Sequence, residues 1–429
     1  MKSQSNLRKF MLLWAGELIS SIGGGLTSFG LGVYIFQKTG SAASMALVTL
    51  LGFLPTLLLS VPAGSLADRY DRRLLMMIGD GCSALGIVYI LVCMMKGGAS
   101  LTQICIGILI SAIFSALLEP AFRATITDLL TREEFSRASG LVSLAGSARY
   151  LLSPILAGFL LTISDVKLLL VIDICTFFLT VISAAVVRKS IGKKAAETKT
   201  GFLASILEGW QILRARRGVL LMVLVSSAIT LFMGMFQILA EPLVLSFSDA
   251  KTLGVAETIC ASGMLVSGLI LGTRGIKGNF TGIMSASLAL AGLMMISFGL
   301  FENIYAICAF GFLFFAALPF ANNSLDYLTR THIPDKVQGR VWGLIGFLSQ
   351  LGYVVAYAVS GVAADALGAW TGLGVGRGAA MVVRVAGGMM AVIALGMLSI
   401  RSIRALEGET KSTAQKGEEH EIAKVTQSY

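Results

Sequence analysis

GSLADRYDRR, residues 64–73, sets five charged residues between two long apolar runs, and its placement decides how the chain folds. The runs on either side, about 43–63 and about 74–95, each have roughly the 20 residues that cross a hydrocarbon core of about 30 Å. A short charged turn between two membrane-length segments is a loop at a membrane face. Reading outward from it in both directions, the same alternation of long apolar run and short polar connection continues.

The whole chain agrees with that local reading. Of 429 residues, 55% are hydrophobic and 14% charged, against about 25% charged in an ordinary soluble domain. Backbone facing lipid must satisfy its own hydrogen bonds, so the spans are helices. Six lie in the first part of the chain, at about 10–36, 43–63, 74–95, 100–122, 138–163 and 166–187. Six more follow at about 218–245, 252–273, 281–300, 304–325, 340–364 and 378–400. The expected fold is an all-α integral membrane protein with twelve transmembrane helices in two six-helix bundles. MKSQSNLRKF leads into the first span with no small-residue cleavage pattern after it, so that span is expected to be retained.

The connection 188–218 is polar and basic, with an amphipathic stretch at Phe202–Leu213 that reads as a surface helix. After Arg404 the chain has too few large apolar residues to order itself. The expected organisation is a bundle over 1–188, a linker over 189–217, a bundle over 218–402 and a tail over 403–429. Pro120, Arg137 and Gly140 recur 199 positions later as Pro319, Lys336 and Gly339, a trace of duplication. Paired halves place a binding site between them near the midplane.

A net charge of +10 and a pI near 9.4 invite a nucleic-acid reading, which the placement of the charges removes. With the N-terminus inside, the inner connections and ends hold 27 Lys and Arg. The outer loops hold five: Lys38, Lys96, Lys167, Lys251 and Arg377. That bias is the positive-inside pattern, which puts both termini and the linker in the cytoplasm. The six cysteines sit singly inside apolar runs and there are only two histidines, so neither a disulfide framework nor a metal site is expected. GLGVGRGAA (372–380) resembles a dinucleotide loop, but no strand precedes it. No phosphate-binding loop, HExxH or Ser-His-Asp arrangement is present. The expectation is no cofactor, no enzyme chemistry and no nucleic-acid partner, with energy taken from an ion gradient.

The pattern G-x-L-A-D-R-x-D-R-R at 64–73 resembles the signature of the major facilitator superfamily, with Asp71 where that family usually has glycine. WAGELISSIG, QKTGSA, LLGFLPTLLL and ASGMLVSGLILG are similar to its macrolide-efflux branch over nearly the full length. The resemblance implies a gate at Gly64, Asp68, Arg69, Arg72 and Arg73. In it Asp68 faces the start of the eleventh helix near Gly339 and Arg340, with Arg123 as counter-charge, an acid meeting a helix dipole. Two stretches depart from the family: RYLLSPILAG has Ser153 before Pro154 where Gly-Pro is usual, and GTRGIKGNF lacks an acid. The resemblance also makes spans 3, 6, 9 and 12 peripheral, so Asp80, Asp173 and Arg384 are expected to be structural.

Ionisable groups inside spans are costly and point to function. Arg149 lies about eleven residues into span five, roughly 16 Å deep at about 1.5 Å per residue. Glu17 and Glu257 are candidate proton carriers. Two readings of Glu17 stand: a proton-coupling carboxylate held by Arg149, or fixed glue between helices. Glu119 and Asp326 read as gate or capping residues. Met233, Phe236, Phe320, Tyr327 and Tyr353 are candidates to line an adaptable pocket, or ordinary packing. The expected function is export of amphipathic, macrolide-like small molecules by proton antiport with alternating access. The expected setting is a monomer in the bacterial cytoplasmic membrane, its partners the small-molecule substrate, protons and the lipid bilayer. Export of an endogenous metabolite, siderophore or lipid is the alternative, and a non-transporting sensor the remote one.

Overall fold

A computed structural model describes residues 6–131, 134–189, 210, 217–276, 278–331 and 338–398. The predicted linker helix and the tail lie outside the described residues. Among the described residues there are no strands, and twelve spans are long and apolar enough to cross a membrane. The helices are α1 (Leu7–Thr39), α2 (Ala42–Arg69), α3 (Arg72–Met95), α4 (Leu101–Ser115), α5 (Leu118–Leu129), α6 (Phe135–Leu151), α7 (Ser153–Ile163) and α8 (Val166–Lys189). They continue as α9 (Arg217–Leu245), α10 (Ala250–Arg274), α11 (Phe280–Phe298), α12 (Ile304–Thr331), α13 (Gln338–Thr371) and α14 (Val375–Met397).

Local chemistry sets the ends. Ser100 and Gln103 form a reciprocal capping box at α4, and Gly40 closes α1 in the left-handed region at φ 61°. Spans four and five, read as continuous, are each broken. Span four interrupts at Ala116–Leu117, just ahead of Pro120, and span five at Leu152, just ahead of Pro154. A proline ring has no N–H to donate and crowds the carbonyl one turn back.

The helices form two compact units. One holds Met1–Lys199, Gln237–Ile259 and Tyr357–Met381; the other holds Thr200–Phe236, Cys260–Ala356 and Val382–Tyr429. In the first unit, glycines 16, 23 and 30 recur every seven residues along α1 and press against Ser183, Thr176 and Leu169 of α8. Between membrane helices such small residues permit backbone approach where hydrophobic burial offers little. An apolar core of Leu31, Ile35, Met45, Ile87, Ile90, Ile104 and Leu170 fills the same unit. In the second unit Phe236 stacks on Phe314 at 4.3 Å between ring centroids, with Phe298 and Phe315 edge-on.

Candidate functional site

The charged turn that opened the sequence joins α2 to α3. Asp71 caps α3, accepting from Arg73 N at 3.1 Å, and Arg188 Nε at the end of α8 donates to its other oxygen at 2.7 Å. Burial acts to raise the Asp71 carboxyl, but Arg188 and the backbone N–H groups of Arg73 and Leu74 outweigh it and hold it below the usual range. Arg72 donates to Asp128 at 2.9 Å and Arg73 reaches the same carboxylate at 3.4 Å. Asp68 is 64% exposed with Arg72 at 3.9 Å, and Arg69 is exposed. The predicted Asp68–Arg123 pairing is replaced: Arg123 bonds Glu119 at 2.9 Å, one turn back on its own helix, where i and i+4 side chains already meet. Gly64 has open space at its Cα. Gly339 and Arg340 belong to the first turn of α13, and their side chains lie outside the described residues.

Inside the spans, the first unit gathers charges that sequence reasoning had kept apart. Asp173 and Asp80 are 1% and 2% exposed. Arg149 lies within electrostatic reach of both Asp173 and Glu17, and Asp80 of Glu17 and Asp173. Glu119 also acts on Glu17. Asp80 and Asp173, expected from the sequence to be structural, stand beside the charges of spans one and five. The reason is the α1 glycine stripe: a Cβ at Gly23 would fall 2.9 Å from Asp173 Oδ1, so span six brings its acid directly against span one. The buried Thr27 hydroxyl stands beside the Asp173 carboxylate. Among the described residues no direct ion pair joins Glu17 to Arg149; they share this cluster at longer range.

A second carboxylate site was half legible. Glu257 of α10 was singled out; Glu241 of α9, one residue before Pro242, was not. The two act on each other electrostatically, and both are half-buried. Among the described residues neither is hydrogen-bonded or ion-paired. The Glu241 carboxylate occupies the space that a side chain at Gly32 would need, so α1 is notched to receive it.

In the second unit, the Tyr353 hydroxyl meets Met233 Sδ at 3.1 Å. Two predicted pocket residues are otherwise engaged: Phe236 is 2% exposed inside its aromatic cluster, and Tyr327 stacks on Phe280 at 3.9 Å. Phe320 is half-buried. A cavity of about 230 Å³ opens instead beside Met222, Ser226, Asp326, Ile345, Ser349 and Gln350. It is lined by none of the five predicted residues, and among the described residues the buried Ser349 hydroxyl has no hydrogen-bond partner. Asp326, read from the sequence as a gate or capping residue, lines the cavity, whereas the serines and glutamine beside it carry no charge signal inside their apolar runs.

Twelve membrane-length helices, with ionisable groups gathered at end turns and in a few clusters inside the spans, define a multi-pass membrane protein. The sequence profile of the Major Facilitator Superfamily matches residues 13–357, and the chain belongs to that family. It is 26% identical over 370 residues to Macrolide efflux protein A of Streptococcus pyogenes, covering 84% of this chain and 90% of that one. It is 24% identical over 374 residues to the Multidrug efflux pump Tap of Mycolicibacterium fortuitum, covering 83% and 90%. Its fold matches a bacterial homologue of the iron transporter ferroportin in the inward-facing state, with TM-score 0.72 at 14% identity over 92% of this chain and all of that one.

Proposed function

We propose that the protein is a secondary active exporter of amphipathic small molecules, macrolide-like in character, which exchanges them for protons by alternating access of the halves 1–188 and 218–402. Both termini lie in the cytoplasm. The observation that carries the coupling is the half-buried pair Glu241 and Glu257, which lacks any cation partner among the described residues. Two half-buried like charges repel, and a proton on either removes the repulsion. Because Glu241 is seated in the notch at Gly32, that change bears on the contact between α9 and α1, helices of opposite halves. The cluster of Glu17, Arg149 and Asp173 is a second proton-responsive element on span one. A membrane potential of about 100 mV gives one proton roughly 2.3 kcal/mol, enough for an about fifty-fold substrate gradient. The relatives named as macrolide and multidrug efflux proteins support the direction of transport and the substrate class.

Expression in an efflux-deficient bacterium tests the reading. The protein is expected to raise the inhibitory concentration of macrolides and other bulky amphipathic drugs, and Glu257→Gln or Glu241→Gln to abolish that gain at unchanged abundance. Inhibitory concentrations equal to the empty vector across drug classes would contradict the proposed substrates.

A further inference from the structure

We propose that Asp365 of span eleven is a latch that holds the outer end of the transporter shut by capping span two; the proposal rests on the alternating-access reading above. One Asp365 oxygen accepts from Ser41 Oγ at 2.6 Å and from Ala43 N at 3.1 Å, and the other from Ala42 N at 2.8 Å. Ala42 and Ala43 open α2, so their N–H groups have no partner within the helix, and the positive end of the helix dipole favours an anion there. Ser41 completes the cap, accepting from Ser44 N at 3.1 Å with the same oxygen that bonds Asp365.

The approach that permits this is built into one stripe of α13. One turn before Asp365, a Cβ at Gly361 would fall 2.6 Å from Ala42 O, 2.7 Å from Ala46 Cβ and 2.8 Å from Ala43 Cα, so only glycine lets the helices come this close. One turn earlier again, Tyr357 packs edge-on against Phe53 of α2 at 5.7 Å. Positions 357, 361 and 365 recur every four residues and share one face. The resemblance would join spans two and eleven at the inner face through Asp68 and the start of α13. Here the roles reverse at the opposite face, with the acid on span eleven and the helix start on span two. Each opening of this end breaks three hydrogen bonds to one carboxylate, so Asp365 sets the balance between its closed and open states.

The test places spin labels at Gln37→Cys and Trp370→Cys, both exposed, in the full chain with its six native cysteines replaced. The distance distribution is then read with Asp365 intact, with Asp365→Asn and with Asp365→Ala. The intact protein is expected to show one dominant short distance. Asp365→Ala is expected to shift the population toward a longer distance by about three- to thirty-fold, the range of helix-cap losses, and Asp365→Asn, which keeps one acceptor, by less. An unchanged distribution in folded Asp365→Ala protein overturns the latch. If that variant does not fold, Asp365→Asn and Ser41→Ala are read instead, and no shift in either overturns it equally. A Ser41→Cys, Asp365→Cys disulfide separates the two ideas. Export that continues through the oxidised cross-link overturns alternating access at this end. Export blocked by oxidation and restored by reduction, together with unshifted distances in Asp365→Ala, overturns the latch alone.

Discussion

Asp71 occupies a position where the family pattern has glycine, and its carboxylate caps α3 while pairing with Arg188 of span six. A glycine at that site supplies neither contact, so the turn gains a tie to the rest of its unit. The carboxyl is held below its usual range, so its contribution to stability is fully present above the unfolded value of about 3.9 and is lost as pH falls through the lower folded value. Asp71→Asn keeps an acceptor for the cap but loses the charge that faces Arg188, and is expected to destabilise by about 0.5–1 kcal/mol at pH 7, the range of a partly exposed ion pair. The gap to the native protein should close as the pH drops below about 4. Thermal unfolding in detergent across pH checks this, and a pH-independent gap would contradict it. At the same scale, Glu17→Gln separates coupling from glue. Arg149 keeps Asp173 within reach, so abundance and downhill exchange are expected to survive while uphill export driven by a pH gradient falls. Loss of abundance instead would return Glu17 to a structural role. Single residues were legible where a charge stood deep in an apolar run, as at Glu17, Arg149 and Glu257. Asp365 escaped notice because it follows the expected end of its span, where a charge reads as the start of a loop; Glu241 lies inside its span at a depth like that of Glu257 and was passed over.

Helices carry the next part of the account. Span eleven was expected to stop at 364, before its first acid, yet α13 runs on to Thr371. Hydropathy ends a span at a charge, whereas the helix continues when a tertiary partner, here the start of α2, satisfies that charge. The break in span five has a similar logic. Pro154 was visible in the sequence, but what the break serves was not. The backbone carbonyl of Pro154 lies against Gly254 of α10, and Thr258 Oγ1 donates to Leu151 O at 3.0 Å. Gly254→Val places a side chain onto the Pro154 carbonyl, a backbone obstacle that no rotamer change relieves. It is expected to cost about 1–3 kcal/mol by overpacking and to part α7 from α10, lowering the melting temperature. A Val variant as stable as the native protein would show that the two helices do not depend on this approach.

At the scale of the whole molecule, hydropathy and charge placement made the twelve spans legible, because length and lipid exposure constrain each helix separately. The gathering of acids around Arg149 was not legible, since it depends on which face of spans three and six turns toward span one. A glycine every seventh residue on α1 was its signal, readable only once α8 was known to pack there. The proposed proton coupling rests on the two carboxylate clusters, and the proposed substrate class on the relatives named as macrolide and multidrug efflux proteins. The direct measurement uses purified protein in liposomes with an imposed pH gradient and a labelled macrolide, and no nucleotide present. The account predicts accumulation above equilibrium that collapses when a protonophore is added and is absent in Glu257→Gln. Accumulation indifferent to the protonophore, or none above equilibrium for any amphipathic compound tried, would contradict it.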